Sequence, residues 1–323
     1  MDLQQNVKPV HNPPKSRVGK VFSSKAFKMS IPLWIMFFPV AIYYLIFSYA
    51  PMAGLIIAFK NYNLNDGLFN SPWASHNGFG NFVLLFSQPD TFSAIRNTFL
   101  LSILSITVSF PAPIVLAVLL NEIRVNWYKR IVQTLIYLPH FFSWVVVSGI
   151  IVVIFSIESG VVNSIIKGLG IEPIRFLYNE FTWVLVFLGS DVWKEAGFSS
   201  IIYLAALTQI DSQLYEAAAI DGANKWKQMR YITFPCLIPT IVIMLILAIQ
   251  GVLGVGFERV YNLSNELVGD IADVIDTYIY RMGIAEQGEY SLTTAMGLFS
   301  SLVSATLVIS ANKIARKFDR QLW

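Results

Sequence analysis

Uncharged apolar runs of about twenty residues, such as Thr98 to Leu120, constrain this chain more than any other feature. A run of that length matches the hydrocarbon thickness that an α-helix crosses, whereas soluble helices and strands show their apolar residues as stripes. Backbone groups in lipid must find partners within the segment or in a closed barrel, so successive runs of this kind predict a helical bundle. Composition agrees, because only 13% of the 323 residues are charged, about half the share in an average soluble domain.

The pattern predicts an all-α, polytopic membrane protein with about six transmembrane helices. They fall at about residues 31 to 55, 98 to 120, 132 to 157, 181 to 207, 237 to 258 and 291 to 311. Pro111 and Pro113 predict a kink in the second, and the fourth carries Asp191, Lys194 and Glu195 in its interior. Residues 1–30, with Lys8, Lys15, Arg17, Lys20, Lys25 and Lys28, read as a basic cytoplasmic tail, and 31–323 as one transmembrane domain. The apolar stretch after the tail exceeds a signal-peptide core and lacks a small-x-small cleavage site, so it reads as an uncleaved anchor.

Placing both termini in the cytoplasm puts sixteen of the 23 Lys and Arg on that side and six outside, Lys60, Arg96, Arg259 and Arg281 among them. The excess favours this orientation over its inverse. The external segments read as ordered: 61–81 mixes Trp73, Phe79 and several glycines, and 273–282 predicts a short helix at the surface. Lys60 and Arg281 read as solvated charges first, and as contacts for an external protein or an anionic solute second.

Several functions are excluded early. Cys236 is the only cysteine, so an intrachain disulfide and a cysteine pair for redox work are ruled out. His11, His76 and His140 share no ligand spacing, which gives no case for a metal. Basic residues are distributed as topology signals and not as a nucleic-acid stripe, so no nucleic-acid partner is expected. The chain contains no GxxxxGK[ST] run and should not hydrolyse ATP. The expectation is a non-enzyme with no cofactor of its own.

The cytoplasmic loop 208–236 carries the most information. Ala217, Ala218, Ala219, Gly222 and Ala223 are small enough to let another surface approach a helix backbone, and Asp221-Gly222 marks a break between two short helices. Lys225, Lys227 and Arg230 hold the second piece in the cytoplasm, and Pro235 and Pro239 mark the return to the membrane. A helix-turn-helix DNA reader also pairs two short helices, but membrane flanks on both sides argue against it.

The run EAAAIDGANKWKQMRYITFP (Glu216 to Pro235) resembles the EAA loop of binding-protein-dependent ABC importers, with Glu216, Ala217, Ala218, Asp221, Gly222, Ala223, Ile232 and Pro235 at the matching positions. The resemblance extends over nearly the whole chain after residue 30 and is closest to polysaccharide-transport permeases of the LplB type, within the carbohydrate importers similar to the maltose permease. Its marks include YAPMAGLIIAFKNYN (Tyr49 to Asn63), RNTFLLS (Arg96 to Ser102), LLNEIR (Leu119 to Arg124), YLPHFFSWVVVSGI (Tyr137 to Ile150), DVWKEAGFSSIIYLAAL (Asp191 to Leu207), GFERVYNLSN (Gly256 to Asn265) and DVIDTYIYRMGI (Asp273 to Ile284).

The resemblance implies a type I ABC importer permease fold in the bacterial cytoplasmic membrane. It further implies a heterodimer with a second permease, two ATP-binding subunits that hold ATP and Mg, and an extracytoplasmic solute-binding protein that delivers an oligosaccharide. In that family the helix beginning near Glu216 sits in a groove of the ATPase, which makes the loop the coupling element. The other class is a self-contained channel or secondary carrier, whose intramembrane charges would themselves bind ions.

Charges inside a bilayer must face protein or water. Asp191 and Lys194 stand three residues apart, which permits mutual pairing, and with Glu195 they read either as a structural ion pair or as a polar lining for a solute. Sugar rings pack their apolar faces on aromatic side chains. Trp193, Trp144, Tyr44, Tyr203, Phe257 and Tyr261 are therefore candidates for the solute path, together with Glu258. His140, after Pro139, reads as a structural histidine.

Overall fold

The computed structural model describes residues 24–285 and 288–316, so most of the basic tail expected at 1–30 lies outside the described residues. The described residues form helices and no strand; the single bridge joins Lys60 to Trp73. The chain divides into two compact units, residues 1–55 and 56–323.

In the first unit, α1 (Ser24–Tyr44) accommodates Pro32 and Pro39 and passes into a π-helical turn (Leu45–Tyr49). The side chains of Leu33, Met36, Phe37 and Phe47 are exposed, as expected of a helix whose solvent is lipid.

The second unit contains α2 (Gly80–Ser87), α3 (Pro89–Val108), α4 (Pro111–Glu122), α5 (Asn126–Tyr137), α6 (Trp144–Phe155), α7 (Val161–Gly168) and α8 (Glu180–Leu207). It continues with α9 (Ser212–Ile220), α10 (Phe234–Gln250), α11 (Phe257–Leu263), α12 (Ile275–Tyr280) and α13 (Tyr290–Arg316). Helix α8 packs along α4, and α10 along α13; α5 and α10 also touch α8, and α11 seats against α6.

Four segments are long and apolar enough to cross a bilayer: Ser30–Phe59, Pro89–Glu122, Lys225–Gln250 and Tyr290–Arg316. A fifth consists of Asn126–Phe141 and Trp144–Phe155, which meet at 105°. Helix α8, with 28 residues, is about 42 Å long at 1.5 Å per residue and reaches across on length alone, in spite of its charges.

Three boundaries differ from the sequence expectation, each for a local reason. The second span begins at Pro89, where extended Gln88 and a proline at the first helical position start a helix; Asp90, Thr91 and Asn97 hide that start from a hydropathy reading. The third is not one helix. Pro139 ends α5 in a 3₁₀ turn, and Ser143 Oγ accepts from Val146 N to start α6 in a new direction. The fifth ends at Gln250, not 258, because Gly251, Gly254 and Gly256 follow, the last at φ +96.

The segment 257–285 is consequently built into the bundle. Ile275 and Tyr278 of α12 are fully buried against α3 and α13, so the helix expected to lie at the surface is part of the core. Asn97 Nδ2 donates to the carbonyls of Asp270 and Asp273, both at 2.9 Å, and Trp183 Nε1 donates to Leu263 O at 2.8 Å. The order expected in 61–81 is present. Lys60, 5% exposed, donates to Leu68 O and Phe69 O and lies over Trp73, while Asn81 Nδ2 donates to Ala58 O and Lys60 O. Lys60 is therefore not a solvated charge.

Helices α5 and α8 cross at Gly197, where any Cβ would run into the carbonyl of Ile136. Small residues let membrane helices approach this closely. Gly189, on the same helix, has open space at its Cβ position. Gly197→Ala should lower the thermal midpoint of the purified protein in detergent, and Gly189→Ala should leave it within about 2 °C, the size of a sub-kcal/mol change.

Candidate functional site

Asp191, Glu195, Ser199 and Tyr203 follow one another at intervals of four along α8 and therefore share one face. That face lines a cavity of about 480 Å3, closed by Ser102, Ser105 and Ser109 from the α3–α4 side, Met244 and Leu247 from α10, and Arg259 from α11. The wall is mostly aliphatic, with hydroxyls and two carboxylates set into it.

Both carboxylates are neutralised, though not as the sequence suggested. Asp191 pairs with Arg259, which is 6% exposed at its side chain, and not with Lys194. Lys194 bonds the neighbouring Glu195 at 2.7 Å and His140 O at 3.0 Å, and His140 Nδ1 meets the other Glu195 oxygen at 2.7 Å. Aromatic faces support these side chains. Arg259 lies 3.9 Å from the Phe187 ring centre, both Arg259 and Lys194 approach Trp144, and His140 stacks on Phe198 at 3.9 Å. Arg259, counted as external from the sequence, is thus a buried partner of α8. The helix-five boundary at 258 concealed it.

The remaining path candidates separate. Trp193 points the other way from Asp191 and lines an apolar groove of about 440 Å3 with Ile150, Ile154, Leu185 and Gly189. Lys194 and Trp144 stand behind the cavity wall as supports. Phe257 packs with Tyr261 and Tyr280, Glu258 is exposed on α11, and Tyr44 is exposed in the first unit. Ser105, Ser109 and Ser199 were not singled out from the sequence; Ser199 was readable as the next step of the Asp191–Glu195 spacing.

The loop 208–236 is two short helices around a glycine break, as its sequence implied. Asp211 Oδ1 caps α9 by accepting from Gln213 N, Gly222 takes φ +76, and Asn224 Oδ1 accepts from Lys227 N to begin the second helical turn. Glu216, Ala217, Asp221 and Gly222 are exposed, as are the large apolar side chains of Ile220, Trp226 and Tyr231. Ala218, Ala223 and Ile232 are half-buried and Pro235 is exposed. Tyr215 Oη lies 2.9 Å from Thr233 Oγ1, and Lys225 pairs with Glu122 at 3.4 Å. The loop is therefore tied to the roots of α10 and α4 while presenting large apolar side chains among exposed charged ones.

Residues 109–323 match the family described as "Binding-protein-dependent transport system inner membrane component". The chain belongs to this family. It is a permease subunit of a transport system and not an enzyme. Among relatives, it is 45% identical over 289 residues to protein LplB of Bacillus subtilis (strain 168), covering 90% of each chain. It is 44% identical to the polygalacturonan/rhamnogalacturonan transport system permease protein YteP of the same organism, covering 90% of this chain and 89% of that one. A chain from the crystal structure of a bacterial alginate ABC transporter, in complex with alginate pentasaccharide-bound periplasmic protein, superposes with a TM-score of 0.84 at 40% identity. That superposition covers 92% of the permease and 98% of the solved chain.

Removing Arg259 leaves Asp191 charged and unpaired at membrane depth, a loss of about 3–5 kcal/mol for a buried pair. Arg259→Ala should therefore sharply reduce folded permease in size-exclusion profiles. The double change Arg259→Met with Asp191→Leu should restore much of it, because no charge is left stranded.

Proposed function

We propose that this permease carries an oligosaccharide or polysaccharide fragment into the cell by alternating access, powered by ATPases that dock on the loop 208–236. The observation that carries the proposal is the pairing of two features in one chain: a hydroxyl-lined, charge-balanced cavity against α8, and an exposed small-residue loop tied to the same helices. The cavity suits a sugar. Serine and tyrosine hydroxyls with Asp191 and Glu195 exchange hydrogen bonds with ring hydroxyls, and the aliphatic wall accepts ring C–H faces.

Relatives whose names refer to polygalacturonan, rhamnogalacturonan and alginate support a glycan as cargo. The system would comprise a second permease, two ATP-binding subunits holding ATP and Mg, and a solute-binding protein outside. Both termini and the loop then lie in the cytoplasm of a bacterial cell, and residues 31–323 act as one transmembrane domain. A channel or secondary carrier fits less well, because Asp191, Lys194 and Glu195 are already neutralised by partners in the chain and leave no uncompensated charge there to bind an ion.

Closure of the ATPases would push on α9. Glu216, Ala217, Ala218 and Ala223 would meet the ATPase groove, with Gly222 and Asp221 turning the chain beneath it and Ile232 and Pro235 leading into α10. Gly222→Trp places a bulky side chain at φ +76 on the docking face, and Glu216→Lys reverses an exposed charge. Each should insert normally yet retain less than about a tenth of the ATPase in pull-down and a similar fraction of labelled glycan uptake, the effect of losing about 1.4 kcal/mol or more. Full assembly together with full uptake in both variants would overturn the coupling assignment.

A further inference from the structure

A second cavity, of about 560 Å3, lies at the end of the bundle opposite the loop 208–236. It is lined by Asp90 and Ser93 at the start of α3, by Tyr261 of α11, by Glu266 and Asp270, and by Tyr280 and Arg281 beyond α12. Helix α11 separates it from the first cavity: Arg259 faces the ion pair, while Phe257 and Tyr261, one turn apart, face the other way.

Two aromatic rings, Tyr261 and Tyr280, line the cavity, and Phe257 packs against both of them. Phe257 and Tyr261 stack at 5.1 Å with a 23° tilt, and Tyr280 closes on them at 5.0 and 5.3 Å. Tyr261 remains 48% exposed, which leaves its ring open toward the cavity. The same lining offers acceptors. Asp90, Glu266 and Asp270 have no side-chain hydrogen bond or ion pair among the described residues, whereas Asp273 is engaged by Arg281 and by Thr277 Oγ1. Arg281 is paired with Asp273, and Arg96 beside Asp270 is held by the Asp270 carbonyl and by Asn97 Oδ1, so three carboxylates without a side-chain partner leave the cavity net acidic. No group of acidic or histidine side chains among the described residues is arranged to hold a metal ion.

A ligand for such a space has an apolar face for the rings and several hydroxyl donors on its edge, and it carries no negative charge. We infer that this cavity is a receiving subsite for an uncharged, hydroxyl-rich sugar unit, which rests its C–H face on Tyr261 and Tyr280 and donates to Asp90, Glu266 and Asp270. The inference rests on the glycan-import reading and deepens it. A uronate at this position meets like charge and is disfavoured, so the glycan passes with a neutral unit seated here.

The lone cysteine makes the test direct. In a Cys236→Ala background, Ser93→Cys or Ser264→Cys places one thiol in the cavity wall of the assembled transporter in lipid nanodiscs. Labelling by a charged, membrane-impermeant thiosulfonate is timed with neutral rhamno-, gluco- or manno-oligosaccharides and with oligogalacturonate or oligoalginate, without the binding protein. The expected result is at least threefold slower labelling with one or more neutral oligosaccharides, at concentrations where oligouronates have no effect. Adding Tyr280→Ala should raise the concentration for half-protection about tenfold, and Tyr280→Phe should keep it.

Equal or better protection by oligouronates overturns the inference, as does an absence of protection at both positions. Protection that comes only from the sugar-free binding protein overturns it too, by making the cavity a protein contact. Uptake of labelled glycans by the unaltered transporter is measured alongside. Uptake without protection removes the subsite and leaves the import reading standing, whereas failure to take up any glycan of the panel removes both.

Discussion

Charge at membrane depth has to be matched within the protein, and in this permease the matching holds the bundle together. A single desolvated carboxylate on α8 would oppose folding; joined to Arg259, it fastens α8 to a helix that begins more than sixty positions later. The second carboxylate, through Lys194 and His140, fastens α8 to the bend between α5 and α6. The same contacts that neutralise the charges also fix where the cavity wall stands. Each group is used by its neighbours before any solute arrives, which leaves hydroxyls and a partly covered pair of carboxylates as the chemistry facing the open space.

Sequence patterning was strongest where a single physical demand dominates. Long apolar runs announced the spans because lipid allows little else. The loop at Glu216 to Pro235 was legible as two short helices because small residues favour a helix and Asp221-Gly222 breaks it. Patterning was weakest where two demands compete. Asp191 and Lys194 have the spacing of a helix-surface pair, but tertiary partners from α11 and the α5–α6 bend outbid the local one. Lys60 and Arg281 looked like exposed charges, yet each is held by polar groups a few residues away in sequence, Lys60 by the carbonyls at 68 and 69 and Arg281 by Asp273.

Boundaries failed for a related reason. Hydropathy stops a helix where polar residues begin, although Asp90, Thr91 and Asn97 are helical and Thr91 and Asn97 are buried in protein, and it continues one through Gly251, Gly254 and Gly256 because valine and leucine lie between them. Carrying helix five to 258 displaced Phe257, Glu258 and Arg259 from their own short helix, which hid the partner of Asp191. The serines of α3 were legible only after the face of α8 was known, since serine is common in membrane helices for packing reasons as well.

The attachments of the loop give α10 unequal ends. At its root, Tyr215 and Thr233 join across the loop, and Lys225 reaches Glu122 at the end of α4; at its tip, three glycines follow within six residues. Such a helix is a rod clamped at one end and hinged at the other. The glycine turn at its tip lies beside the cavity, with Gly251 and Gly254 in the cavity wall. On the proposed coupling, movement of the loop would reach the cavity through this turn.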